Sequence, residues 1–336
     1  MSITPTEIRA WSRLGQRGAF FGVAMPRIAA EKSSLKLLTA DLALLSGMER
    51  FQNGFPEKFL NVGIAEQNMI GIAAGLAMEG DCVFATTYAS FIAVRCLEHI
   101  RQHLSHMKCN VKVIGTAAGT AAARSGVSHW ATEDLAFMRS LPNLTVFSAA
   151  DSLEAVKIAE YAADTPGPVY IRLSGGLNCP VVYKEDYSFC PGRLTELRKG
   201  NQAAVIATGL MVAESLRAAE QLEKEGISCS VYNMHTIKPV DREGLREIFE
   251  RHGLIVTVEE HNVIGGMGSA VAEYKATLEH MPRQVFIGFE DTYAGAGSQR
   301  YVWEQNGLTD MQIASRIKNE WELKSQVSMI GKKKND

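Results

Sequence analysis

One acidic side chain between two apolar stretches is the first candidate for chemistry. The segment Asn61–Met69 reads NVGIAEQNM, and its Glu66 is followed by the apolar run Ile70–Met78. We predict a short strand that ends near Val62 and a buried helix, rich in alanine and glycine, that begins near Glu66. The glutamate would then lie at a helix N-terminus within an apolar setting.

Two interpretations of Glu66 are open at this point. A glutamate in the first turn stabilises a helix through the helix dipole. Alternatively, burial raises the pKa of the carboxyl group, keeps it protonated at neutral pH, and lets it form a hydrogen bond with a cofactor. The segment alone does not decide between these two roles.

Few other positions suggest a site from their spacing alone. Asp41 ends a predicted strand, where α/β folds place functional groups, although helix capping explains it equally well. His99 and His103 have the i, i+4 spacing of a metal pair, but no third ligand accompanies them, so we predict no metal site in this chain. Neither a P-loop nor a dinucleotide-binding glycine motif opens a first βαβ unit.

Composition narrows the class of protein. The 336 residues suffice for two domains, 46% of them are hydrophobic, and the net charge of -2 argues against a nucleic-acid surface. No run of about 18 apolar residues predicts a membrane span, and the first nine residues lack a signal-peptide core. Six cysteines without C-x-x-C spacing indicate free thiols, and we therefore expect a cytoplasmic protein.

Predicted strands and helices alternate along most of the chain. The pattern predicts an α/β fold with two domains, 1–190 and 200–325, each a mostly parallel sheet covered by helices. The stretch 174–199 is rich in glycine, proline and charge, and we predict a linker there. Residues 326–336 are predicted to form a solvated basic tail.

Three local signals mark helix ends. Thr4 with Glu7 predicts a capping box, and Pro5 suits the first helical position. Asp151 is a predicted N-cap. Pro26 is expected to break the first helical segment into two pieces.

Six segments occur in an order that is typical of one enzyme family. Together they resemble the C-terminal half of transketolase and of 1-deoxyxylulose-5-phosphate synthase, and they look most like the C-terminal subunit of split transketolases. Any one segment is a weak signal, whereas six in order at natural spacings make a strong one. The six segments are Asn61–Met69, Tyr88–Phe91, Ser128-His129, Gly167–Arg172, His235–Asp241 and Val258–Gly268.

The resemblance implies a thiamine diphosphate enzyme in which residues 1–190 form the pyrimidine-binding domain and residues 200–325 the transketolase C-terminal domain. The family's glutamate falls on Glu66, which would hydrogen-bond the aminopyrimidine ring and promote removal of the thiazolium C2 proton. Phe91 matches the aromatic residue that stacks on the pyrimidine, and Tyr88 matches its neighbour, although core packing is an alternative for both.

Other matched positions concern the cofactor's surroundings and the substrate. Asp41 matches a T-A-D-L segment near the cofactor. His129 matches a histidine that faces the substrate and can shuttle protons or stabilise an oxyanion. Val94 replaces the aromatic residue or arginine that usually follows Phe91, so we expect that wall of the slot to be reduced.

Several sugar-phosphate contacts of the family are altered. Ser125 stands where transketolase has an acid, and the other changed positions are Ala117, Leu45 and either Ser174 or Gly175. We therefore expect an unphosphorylated or modified sugar, or a phosphate that is held differently. The candidate residues for holding it are Arg124, Arg172 and Arg17.

The chain also lacks the family's diphosphate–Mg²⁺ motif. The resemblance therefore implies an N-terminal transketolase-like partner subunit that holds Mg²⁺ and the diphosphate. Two such pairs would form an α2β2 heterotetramer. The expected reaction is transfer of a two-carbon ketol unit from a sugar or ketose.

Two alternatives to this interpretation are kept. One is the β subunit of a 2-oxo acid dehydrogenase E1 component, which shares the domain arrangement. The single His129 and the sequence IAEQN favour transketolase over it. The other is a non-catalytic partner subunit, against which the intact Glu66, Phe91 and His129 argue.

Overall fold

The computed structural model describes residues 3–293 and 295–333, with side chains as far as residue 324. Within this part, twelve strands form two sheets. In chain order the strands are β1 (Leu35–Thr39), β2 (Phe59–Asn61), β3 (Cys82–Tyr88), β4 (Val111–Thr116), β5 (Thr145–Ser148), β6 (Val169–Leu173), β7 (Thr195–Arg198), β8 (Ala203–Ala207), β9 (Cys229–Asn233), β10 (Thr236–Lys238), β11 (Leu254–Asn262) and β12 (Arg283–Phe289).

The helices alternate with these strands. The α-helices are α1 (Pro5–Ala19), α2 (Met25–Glu31), α3 (Ala43–Ser46), α4 (Glu49–Gly54), α5 (Glu66–Met78), α6 (Leu97–His99), α7 (Asp134–Ser140), α8 (Ser152–Asp164), α9 (Met211–Lys224), α10 (Arg242–Arg251), α11 (Met267–Lys275), α12 (Gln299–Gln305) and α13 (Asp310–Lys333). Wider π-helical turns span Phe20–Ala24, Phe91–Arg95 and Ile100–His106, and 3₁₀ turns span Pro56–Lys58, Ala123–Ser125 and Val127–His129.

Both sheets are mostly parallel. The first has the order β10-β5-β6-β4-β3-β1-β2, and the second has the order β12-β11-β8-β9-β7. Only β10 and β7, each at a sheet edge, run antiparallel to their described neighbours. The predicted fold class, two α/β domains with mostly parallel sheets, is confirmed.

The central strands of the first sheet are buried on both faces. Every residue of β4 and β6 is buried, and helices cover both sides of the sheet. Burial on two sides suits their mostly apolar sequences, which show no apolar–polar alternation. The charged exception in β4, Lys112, is buried with its Nζ donating to Asn110 Oδ1 and to the carbonyls of Thr165 and Gly167. The sheet is thus a rigid base for the loops at the ends of its strands.

Two of the three helix-end predictions are confirmed. The Thr4 hydroxyl accepts a hydrogen bond from the Glu7 N–H, and the Glu7 carboxylate accepts one from the Thr4 N–H. The Asp151 side chain caps α8 by accepting from the Glu154 N–H at 2.9 Å.

The prediction for Pro26 is wrong. Pro26 is the second residue of α2, but the backbone is helical on both sides of it, because the π-helical turn Phe20–Ala24 leads directly into α2. The non-helical residue in this segment is Gly15, with φ 72°. A Cβ at Gly15 would lie 2.1 Å from the Gly176 carbonyl oxygen, so this close approach requires glycine.

The sheets do not divide at the predicted linker. Strand β7 lies inside 174–199 and pairs with β9 of the second sheet. Strand β10 comes after that stretch, yet its Thr236 pairs with Phe147 of the first sheet. The C-terminal part of the chain therefore completes the N-terminal sheet, and the domain limits stay a prediction.

Two further expectations concern membranes and the tail. Across residues 3–293 and 295–333, no helix is both long and apolar enough to cross a membrane. Helix α13 runs into the predicted basic tail, 326–336, as far as Lys333. The side chains of that tail and its last three residues lie outside the described residues.

Candidate active site

Glu66 is held at the carboxyl-terminal edge of the first sheet. It is the first residue of α5, directly after the turn that leaves β2, and it is only 4% exposed. Gly63 takes φ 73° in this turn, and its N–H donates to Asn61 Oδ1 at 3.0 Å. The predicted buried glutamate at a helix start is therefore present.

Asp41 closes the neighbouring end of β1. Its backbone has φ 59°, its N–H donates to Asn61 Oδ1 at 3.0 Å, and its Oδ1 accepts from Asn61 Nδ2 at 3.1 Å. The pair ties the ends of β1 and β2 together. The side chain is exposed and does not cap α3.

Three rings meet at the end of β3. The Tyr88 and Phe91 ring centroids are 5.7 Å apart, and the His129 ring lies 5.7 Å from Tyr88 and 5.5 Å from Phe91. All three pairs have the edge-to-face arrangement that aromatic rings prefer. The structure thus brings together three predicted site residues, of which His129 is distant in sequence from the other two.

Arg95 joins this ring cluster to Glu66. Its Nη1 donates to Glu66 Oε1 at 2.7 Å, and its guanidinium carbon lies 4.2 Å from the centre of the Phe91 ring. This contact was not predicted from the sequence, which indicated a purely apolar setting for Glu66. A charge-assisted hydrogen bond to the carboxylate replaces that setting.

The π-helical turn Phe91–Arg95 explains the omission. The Cys96 N–H bonds to the Phe91 carbonyl, five residues back, at 3.2 Å. Because this turn contains one extra residue, Arg95 rather than Val94 comes back over Phe91. Val94 is 53% exposed. Arg95 rather than residue 94 therefore covers the Phe91 ring, and the expected reduction of the slot wall stays a prediction.

His129 lies on a loop that the second sheet holds in place. Its Nδ1 is 2.9 Å from the Ser128 hydroxyl. The loop is closed by paired hydrogen bonds between Gly119 and Ala131, at 3.0 and 2.9 Å. Glu260 of β11 accepts from the Thr120 N–H at 3.0 Å and from its hydroxyl at 2.5 Å.

Arg17, Arg124 and Ser125 line one pocket of about 380 Å³ that Tyr88 also borders. Within the described part of the chain, neither guanidinium forms an ion pair or a side-chain hydrogen bond. Burial lowers the pKa of the Arg17 guanidinium, and the electrostatic interaction with Tyr88 raises this pKa by a smaller amount. The pocket therefore presents two uncompensated positive groups and a hydroxyl.

The second domain also contributes to this pocket. Ser298 and Gln299, at the start of α12, complete its lining. Gln299 Nε2 donates to Glu260 Oε1 at 2.9 Å, which fixes the segment against β11. No motif in the sequence marks these two residues, because their position depends on packing between the domains.

Arg172 does not belong to the pocket, so its prediction as a substrate contact is wrong. The side chain is 1% exposed, and its Nε lies 2.9 Å from Oδ2 of the buried Asp134. Its Nη2 donates to the carbonyls of Ala131 and Glu260 at 3.2 and 2.9 Å. Arg172 therefore joins β6 to β11 and cannot reach a substrate.

The residues present suit one end of a thiamine cofactor. Glu66 offers a buried carboxyl group to the N–H and ring-nitrogen groups of an aminopyrimidine, and Phe91 offers a ring for stacking. Among the described residues, no group of three or more histidine, cysteine, aspartate or glutamate side chains is arranged to hold a metal ion.

The fold and the site define a two-domain α/β protein with a pocket at the carboxyl ends of a parallel sheet, a usual ligand position in such folds. Residues 17–179 match the model of the transketolase pyrimidine binding domain, and residues 192–313 match that of the transketolase C-terminal domain. The chain belongs to the transketolase family, which confirms the resemblance found in the sequence.

Two of the relatives are named as transketolase subunits. The chain is 36% identical over 287 residues to the 6-deoxy-6-sulfo-D-fructose transketolase subunit SqwH of Clostridium sp. (strain MSTE9), covering 85% of this chain and 88% of that protein. It is also 36% identical over 287 residues to an apulose-4-phosphate transketolase subunit of Actinobacillus succinogenes, covering 84% and 91%.

A solved structure shows the same arrangement of domains. It is described as a split gene transketolase in an inactive β4 tetramer. The two chains superpose with a TM-score of 0.82 at 41% identity, and the match covers 92% of this chain and 99% of the other.

Proposed function

We propose that this chain is the C-terminal subunit of a two-chain, thiamine diphosphate-dependent transketolase-like enzyme that transfers a two-carbon ketol unit. The observation that carries the proposal is the buried Glu66 carboxyl group next to the Tyr88, Phe91 and His129 rings. When bound, the cofactor supplies the carbanion chemistry, while the protein binds and orients the reactants.

Each residue of the site has a role in this proposal. Glu66 forms a hydrogen bond with the pyrimidine ring and holds or releases a proton there. Phe91 supports the ring by stacking, and Tyr88 fixes the position of Phe91. His129 faces the substrate and exchanges a proton with its oxygen. Asp41 keeps the ends of β1 and β2 in place near the cofactor.

A partner subunit completes the proposed enzyme. It carries the diphosphate and Mg²⁺, and two pairs of chains form an α2β2 heterotetramer in the cytoplasm. Support comes from relatives that are themselves named as subunits and from the similarity to a chain of a split gene transketolase.

Co-purification with an N-terminal transketolase-like chain tests the proposal. Thiamine diphosphate and Mg²⁺ are titrated by calorimetry into this chain, into the partner and into the mixture. We expect a saturable binding isotherm with the mixture and none with this chain by itself. A mixture that forms no complex, or a complex that binds no cofactor, would refute the proposed function.

Product analysis separates the two alternatives. A ketol-transfer enzyme lengthens an aldose acceptor by two carbons, whereas a 2-oxo acid dehydrogenase component releases carbon dioxide from a 2-oxo acid. A complex with a non-catalytic subunit would form neither product. The match to transketolase models over both domains supports the first outcome.

The proposed substrate is a sugar with an anionic group at the end remote from the transferred carbons. Arg17 and Arg124 would bind that group, and Ser125 would donate a hydrogen bond to it. The changed family positions around Ala117 agree with a phosphate or sulfonate that is held in a new way.

Alanine variants test this subsite. Arg17→Ala or Arg124→Ala should raise KM for an anionic sugar about tenfold, since one charged hydrogen bond contributes about 1.5 kcal/mol. KM for the matching neutral sugar should stay unchanged. Arg9→Ala, an exposed arginine of α1, is the matched control. Equal effects on both sugars would refute the subsite and leave the reaction class intact.

A further inference from the structure

Arg95 contacts both residues to which the proposed function assigns the pyrimidine ring of the cofactor, Phe91 and Glu66. Its guanidinium covers the Phe91 ring at 4.2 Å and donates to Glu66 at 2.7 Å. These are the two contacts that the proposed function assigns to the aminopyrimidine. Because one group makes both contacts, it covers the face of Phe91 that is turned toward Glu66.

A guanidinium is a chemical match for this position. Like an aminopyrimidine, it is planar, carries N–H donors suited to a carboxylate, and stacks on an aromatic ring. The Glu66 carboxylate and the Phe91 ring are therefore satisfied while no cofactor is bound. A pyrimidine ring that approached the same face would meet the guanidinium.

We propose that Arg95 is a displaceable plug of the pyrimidine slot. It closes the slot in the free chain, and it must leave Phe91 and Glu66 when the cofactor enters. The inference rests on the proposed function, because that function supplies the ring that competes with Arg95. Arg95 thus acts by controlling access to Glu66 and takes no part in the reaction itself.

The local structure allows the side chain to move while its backbone stays in place. The side chain is 45% exposed, and its described contacts are limited to Glu66 and Phe91. Gln67 Nε2 donates to the Arg95 carbonyl at 3.0 Å, which ties the backbone to α5. A rotation about the side-chain bonds toward solvent is therefore enough to open the slot.

The size of the effect follows from competition between two occupants. A binding-competent state that is only one tenth populated weakens the apparent affinity about tenfold. The ion pair is open to solvent on the Arg95 side, where the side chain is 45% exposed, and this exposure weakens both the ion pair and the cation–π contact. They are strong enough together to keep the slot closed most of the time and weak enough to yield to a cofactor that the partner also holds.

The test measures thiamine diphosphate affinity in the complex with the partner subunit by calorimetry. Arg95→Ala should lower Kd about tenfold, and Arg95→Lys should lower it less, because lysine keeps the charge without the planar group. Arg101→Ala, which removes an exposed arginine paired with Glu98, should leave Kd unchanged. Thermal unfolding of each variant shows that it is folded.

The possible results separate this inference from the function on which it rests. An Arg95→Ala complex with the wild-type Kd would refute the plug and leave the function standing. A higher Kd would also refute it, because Arg95 would then be a cofactor contact. If neither the wild-type nor any variant complex binds the cofactor, the proposed function fails and the plug fails with it.

Discussion

Replacing Arg172 by alanine should destabilise the fold without acting through substrate binding. The Arg172 guanidinium lies 2.9–3.0 Å from both carboxylate oxygens of Asp134, and both side chains are fully buried. It also donates to two backbone carbonyls, those of Ala131 and Glu260. Its removal leaves the Asp134 carboxylate without a cation in the interior.

The magnitude follows from that uncompensated charge. Removing one partner of a buried ion pair costs about 3–5 kcal/mol. Tyr170 still donates to Asp134 Oδ2 at 2.6 Å, so we expect a value near the lower limit, about 3 kcal/mol. The double variant Arg172→Met with Asp134→Leu removes both charges and should recover the part of the loss that comes from the unpaired carboxylate, whereas the Ala131 and Glu260 carbonyls and the Tyr170 hydroxyl still lack these partners.

Urea unfolding followed by far-UV circular dichroism measures these free energies. Arg101→Ala is the control, because its ion pair is exposed and should contribute little. A loss below about 1 kcal/mol for Arg172→Ala would refute the reasoning, since a buried charge would then cost no more than an exposed one. A double variant that is no more stable than the single variant would refute it too. If Arg172→Ala does not fold, Arg172→Lys gives a smaller loss of the same sign.

Three further predictions concern other parts of the chain. Gly119→Ala should lower the free energy of unfolding by about 2 kcal/mol, because residue 119 has φ 60° and its Cβ would lie 2.5 Å from Cδ of Glu260. Thermal unfolding checks this, with Gly71→Ala as the control, since a Cβ at Gly71 would meet no neighbouring atom within 4 Å. Burial lowers the pKa of His235 from 6.5 to about 4. On acidification the unfolded chain therefore binds this proton before the folded chain does. The free energy of unfolding should fall by about 3 kcal/mol as the pH drops from 6.5 to 4. In urea unfolding at several pH values, His235→Asn should remove that loss, whereas an unchanged pH dependence would contradict the assignment. Cys190 is the only exposed cysteine of six, so Ellman's reagent should titrate one fast thiol in the native chain, none in Cys190→Ser, and six after unfolding of the wild type.

Much of the fold follows from local patterns. The mostly apolar stretch Val111–Gly115 predicted a strand, and every residue of the observed strand is buried, as in a parallel sheet covered on both faces. Thr4 and Asp151 predicted helix starts because capping depends on residues only three apart. The position of Glu66 followed from the change between a strand and a small-residue helix.

Other features depend on contacts that no local pattern records. Arg172 matched a family segment next to the site, but its burial depends on Asp134, 38 residues earlier, and on a strand 88 residues later. Strand β10 joins the first sheet although it follows the linker. Arg95 reaches Phe91 only because of a π-helical turn, and a count along a regular helix selects Val94 instead.

The most direct test of the central role is the rate at which the C2 proton of bound thiamine diphosphate exchanges with deuterium in the complex. Glu66→Gln keeps the shape of the side chain and removes its ability to ionise. Because a positioned acid or base contributes about 10²–10⁴ to proton transfer, we expect exchange at least a hundredfold slower in the Glu66→Gln complex with its cofactor site filled. Exchange at the wild-type rate would contradict the proposed role of Glu66.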